Sequence, residues 1–153
     1  MVEEDEYRST YKSINEPHCV FEKTILSGRC TCLYATRFFL ADREGVRCES
    51  QPYLRRCGNL LELLRTKARF ALRLTSTVGA LPHTKELQVQ IGGLTGLMAA
   101  LKKSPTVTAQ TCDIAALVER SEAVYGALEN LPFPEIIKSV VNYSGRRRRP
   151  TDK

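Results

Sequence analysis

Six cysteines are the residues in this chain whose type and placement promise chemistry, and five of them, Cys19, Cys30, Cys32, Cys48 and Cys57, fall in the first 57 positions. Cys30 and Cys32 stand one residue apart in "SGRCTC", directly after a Ser-Gly turn signal. Several soft donors converging on one point are how all-thiolate zinc and iron–sulfur sites are supplied. The expected ligand set is Cys30, Cys32, Cys48 and Cys57, with Cys19 and His18 in reserve. With only two histidines in the chain, any metal site is rich in thiolate or uses carboxylates.

Three of these cysteines follow an arginine: Arg29-Cys30, Arg47-Cys48 and Arg56-Cys57. A neighbouring cation favours the thiolate and offsets the negative charge of a four-thiolate centre, so Arg29, Arg47 and Arg56 are candidates to tune it. The bland alternative is that the segment is simply rich in arginine and its cysteines are small buried residues. Cys57 lies on an apolar helical seam, where that reading is natural, and Cys112, far along the chain, reads as structural.

Spacing gives no help. C-x-C followed by x15-C-x8-C is not a standard zinc or ferredoxin pattern. Geometry adds an obstacle. A tight hairpin about "DREG" would pair Cys48 near Phe39, on the order of 20 Å from Cys32, and one helix through 31–44 would carry the chain about as far. A four-cysteine site therefore requires the chain to double back.

Charge is unevenly spread. Residues 1–28 sum to −3, 29–73 to +6, 74–145 to −1 and 146–153 to +4, within a net charge of +6. The cysteine-bearing segment and the arginine tail are thus the surfaces for an acidic partner. Arg65, Arg69 and Arg73 on a basic helix, with Arg146, Arg147, Arg148 and Arg149, are the candidate partner-binding residues. An acidic protein surface is the expected partner. Nucleic acid is a further candidate through the tail, although the chain lacks a helix-turn-helix signature, an RNP motif and aromatic interleaving. No apolar run is long enough to span a membrane, and the acidic "MVEEDEYRST" is not a leader. The expected location is the cytoplasm, where cysteines are more often thiols or ligands than disulfides.

Residues 1–17 form a flexible acidic arm. A single domain of α+β class, predominantly helical, spans 18–144, with a few short strands packed on about four helices, and 145–153 is a basic tail. Within the domain, 18–58 carries the cysteines and 84–144 is a helical C-terminal part. "CVFEKTIL" alternates as a strand and ends at Ser27-Gly28, while 31–44 fits helix or strand equally. Residues 52–74 form a basic amphipathic helix, with Pro52 at its start and Leu54, Cys57, Leu61, Leu64, Ala68 and Ala71 along one seam. "ELQVQI" alternates as a second strand, and Gly92-Gly93 leads to a short helix ending before Pro105. Thr111 or Asp113 caps a helix through residue 130, and a last helix follows Pro132. Gly92, Gly93 and Gly96 either receive an anion at a helix start or permit close helix packing.

No Ser/His/Asp set, paired carboxylates or HExxH motif appears, so a self-contained enzyme is not expected. The leading expectation is a small metal-binding protein, iron–sulfur before zinc, serving electron transfer or acting as an accessory subunit of a larger assembly. A zinc-stabilised or metal-free basic adaptor for nucleic acid or a ribonucleoprotein is the first alternative. A helical protein-interaction subunit with buried thiols is the second.

Overall fold

A computed structural model describes residues 17–74, 81–101 and 112–143. The acidic arm up to residue 16, Pro105, Thr111 and the tail with Arg146 to Arg149 lie outside them. The fold is α+β and predominantly helical. Its elements run α1 (Glu22–Leu26), β1 (Ala35–Leu40), β2 (Arg43–Cys48), α2 (Gln51–Ala68), α3 (His83–Ala100), α4 (Ile114–Tyr125), a 3₁₀ turn (Leu128–Asn130) and α5 (Phe133–Asn142).

Helix α2 forms where its seam predicts. Ser50 caps it by accepting a bond from Tyr53 N, and Pro52 sits in the first turn, where its missing N–H costs nothing. Cys57, Leu61, Leu64 and Ala68 point into the core, together with Leu60. The helix stops at Ala68 rather than 74, so Ala71 is exposed and Leu72 supplies the last buried contact. Asp113 caps α4 through Ala116 N, and Gly126, at φ 84°, ends it before residue 130.

Two expected strands are helices. "CVFEKTIL" contains α1, because Phe21, Thr24 and Ile25 bury at the one-three-four spacing of a helix. "ELQVQI" lies inside α3, where Glu86, Val89, Gln90 and Ile91 are all buried. A helix enclosed on most sides loses the polar stripe that would mark its period. The glycines explain that enclosure. A Cβ at Gly92 would stand 2.6 Å from Val140 Cα, and one at Gly96 would stand 2.8 Å from Ile136 Cα. Close packing of α5 on α3 accounts for both, and the mid-helix position commits their N–H groups to the helix, leaving none for an anion.

The ambiguous segment 31–44 enters the hairpin. Strands β1 and β2 pair antiparallel, with Ala35 opposite Cys48 and Leu40 opposite Arg43. The turn is Ala41-Asp42, centred two residues before the centre of "DREG", with Ala41 held at φ 53°. Moving a hairpin's turn by two residues moves the partner of any given residue by four. Cys48 therefore lands beside Ala35, three residues from Cys32, instead of near Phe39.

Candidate metal centre

The hairpin delivers Cys48 to one wall of a small space beneath it. Val46 and Cys48 face inward, and Arg47 between them faces away, as alternation along a strand requires. The chain before α1 then adds itself to the free edge of β2: Cys19 N donates to Val46 O at 3.1 Å, and Cys48 N donates to Pro17 O at 3.0 Å. That pairing brings Cys19 beside Cys48. Cys57 arrives nearly two helical turns into α2, and Cys32 comes from the loop before β1, where Ala35 N donates to its carbonyl.

Four thiols from four separate segments, Cys19, Cys32, Cys48 and Cys57, line one apolar cavity of about 10 Å³, completed by Val20, Phe21, Ala35, Tyr53, Leu54 and Ile114. The space admits an ion-sized guest and excludes an organic substrate. One edge is covered by a stack: Tyr34 lies on Tyr53 with ring centroids 4.8 Å apart, and the Arg56 guanidinium lies 4.4 Å from the Tyr53 centroid.

Cys30 is not in this set. It forms a disulfide with Cys112, and both residues are buried. The bond is reinforced on either side, as Thr31 N donates to Cys112 O and Ile114 N donates to Thr31 O, both at 2.9 Å. The expected ligand set is therefore corrected: the disulfide removes Cys30 from the free thiols, and the reserve residue Cys19 stands in its place. His18 is turned away, its Nε2 bonded to Glu22 Oε2 at 2.7 Å, and does not line the thiol cavity. A pairing across 82 residues carries no local sequence signal, and the expectation of free thiols followed from the compartment argument rather than from geometry.

Burial holds three of the thiols toward the neutral form. Burial pushes Cys19 and Cys57 up to about 12, and the negative charge that the neighbouring sulfurs would carry adds to both. Burial also raises Cys32. Desolvation penalises the charged form, and here it outweighs the nearby cation. Arg56 does favour the Cys57 thiolate, but as the weakest influence on it, because its guanidinium is bound to Glu122 and Tyr53. Arg47 lies over the Phe38 ring, 5.5 Å from its centroid, on the other face of the hairpin. No contact joins Arg29 to a thiol among the described residues. Such raised, buried thiols are poor nucleophiles, which disfavours dithiol exchange chemistry.

Among the described residues, no three His, Cys, Asp or Glu side chains close on a single point as tightly as one ion requires. Of the partner-binding candidates, Arg65 is engaged by Glu86 through bonds of 2.8 and 2.7 Å. Arg69 and Arg73 are exposed and flank Phe70, which is 89% exposed. No described helix is long and apolar enough to cross a membrane. Compared with known proteins, the chain matches no family model, no curated sequence and no solved structure.

Proposed function

We propose that the chain is a small metal-binding protein whose centre is held by Cys19, Cys32, Cys48 and Cys57, with an iron–sulfur cluster as the first identity and zinc as the second. The observation that carries the reading is that four free thiols, from four segments, line one small apolar cavity. The all-sulfur donor set fits either group. A single zinc ion needs each sulfur about 2.3 Å away, which these thiols do not meet without closing in. A cluster places its metals on separate cysteines and so reaches donors further apart, at the cost of parting the walls of a space of only about 10 Å³. Bound metal would hold the sulfurs as thiolates, and the chain's own part is to exclude water with Val20, Phe21, Leu54 and Ile114.

The accessory-subunit role rests on the far end of α2, where exposed Phe70 between Arg69 and Arg73 offers an apolar anchor ringed by positive charge, suited to an acidic protein. A cytoplasmic location fits four unpaired thiols and implies that the Cys30–Cys112 bond closes only under oxidation. The test is metal and sulfide analysis of anaerobically purified protein, alongside single serine variants of each cysteine. Loss of metal in the Cys19, Cys32, Cys48 and Cys57 variants, with retention in the Cys30 variant, supports the reading. Metal-free protein refutes it.

A further inference from the structure

A second cavity adjoins the thiol space, and Val20 lines both. It is a cleft of about 520 Å³ between the 18–23 segment, one face of α2 and the start of α3, within the size range of small-molecule sites. Its polar wall is fixed. Gln90 accepts from Thr24 Oγ1 at 2.8 Å and donates to Glu86 Oε1 at 2.6 Å, and Arg65 donates to both Glu86 oxygens.

Gly58 stands on this cleft in the interior of α2. Glycine there destabilises a helix relative to alanine, and packing does not require it: a Cβ at 58 would meet nothing within 4 Å. That separates it from Gly92, Gly93 and Gly96, each of which a Cβ would drive into a neighbour. A larger side chain at 58 would take only the space of the cleft.

The charges on the walls select the ligand. Arg65 is paired with Glu86, whereas Lys23 Nζ is bonded to the uncharged acceptor His83 Nδ1 at 2.9 Å and keeps its charge, so Glu22, Glu62 and Glu86 against Lys23 and Arg65 leave the lining at a net −1. An anion drawing Arg65 away would strand the Glu86 carboxylate, whose side chain is only 6% exposed, as an uncompensated buried charge. Glu22 accepts from His18 and from Val46 N. Glu62, one turn along from Gly58, has no ion-pair or hydrogen-bond partner among the described residues. Leu61, Leu81 and Val20 supply apolar wall. We infer that this cleft binds a small alkylammonium ligand, its chain against Leu61, Leu81 and Val20, its cationic head on Glu62, and its room kept by Gly58. The site is independent of whether metal binds to the thiols.

The experiment titrates the full chain with n-hexylammonium, following amide shifts by NMR, against n-hexanoate, n-hexanol and N-acetyl-lysine amide. Saturable binding of hexylammonium is expected, with hexanoate and hexanol at least about threefold weaker. Glu62→Gln should weaken the amine about threefold, the scale of one partly exposed ion pair. Gly58→Leu should abolish binding, and its circular dichroism and melting curve show that the fold persists. Equal binding of hexanoate, unchanged binding in Gly58→Leu, or no saturable amine binding overturns the proposal. Nα-acetyl-lysine amide binding as tightly as hexylammonium overturns the assignment to a small free alkylammonium, pointing instead to a lysine side chain of a peptide.

Discussion

Alkaline pH should destabilise the metal-free protein through the very thiols that form the candidate centre. Cys19 and Cys57 are raised from 9.0 to about 12 in the folded chain, chiefly by burial. Above pH 9 the unfolded chain has lost those two protons while the folded chain still holds them. Stability then falls as pH rises, because the unfolded state binds fewer protons. The stabilisation is fully present below pH 9 and is lost progressively between 9 and 12. Each thiol contributes about 1.4 kcal/mol per pH unit in that window, so the pair removes about 3 kcal/mol between pH 8 and pH 10. Urea melts across this range measure it directly. Replacing both Cys19 and Cys57 with alanine lowers stability at pH 8 through lost packing, but should remove most of the slope. Metal-loaded protein, with its sulfurs already ionised, should also lack the slope. An undiminished slope in the double variant would refute the argument that burial governs these thiols.

Other outcomes follow from the same structure. Denatured without reductant, air-purified protein should alkylate at four cysteines, and at six after reduction, counted by mass spectrometry; the sites left unmodified should be Cys30 and Cys112. Arg65→Ala should cost roughly 3–5 kcal/mol in urea melts, since it leaves Glu86 buried and unpaired, whereas Arg65→Met with Glu86→Leu should recover most of that loss. Gly92→Ala should cost about 1–3 kcal/mol by forcing α5 away, while Gly58→Ala should stabilise by roughly 0.5–1 kcal/mol, a difference of sign readable from two melting curves.

What the sequence makes legible depends on how strongly one face is buried. Helix α2 is amphipathic, and its seam, its proline and its capping serine all point the same way. Helix α3 hides because it is enclosed, and its buried Glu86 and Gln90 sit in positions where an alternating pattern reads them as a polar face. The hairpin hides for a different reason. Its turn falls at Ala41-Asp42, with a non-glycine residue at φ 53°, while the glycine that draws attention, Gly45, sits buried inside β2 opposite Phe38. That two-residue difference decides whether Cys48 is remote from Cys32 or close to it. Of the candidate ligands, Cys32, Cys48 and Cys57 come together, and Cys30 leaves the set through a long-range bond that spacing does not encode. Cys19 joins by adding its strand-like backbone to β2, an edge pairing with no signature of its own.

The most direct test of the central claim is metal and acid-labile sulfide content, with the visible spectrum, of anaerobically purified protein and of two variants, Cys19→Ser and Cys30→Ser. Iron, sulfide and visible absorption should be present in the native protein, disappear in Cys19→Ser and persist in Cys30→Ser. One zinc per chain with the same variant pattern would keep the four-thiol centre and contradict its iron–sulfur identity. Metal absent from the native protein, or lost in Cys30→Ser and kept in Cys19→Ser, would contradict the centre itself.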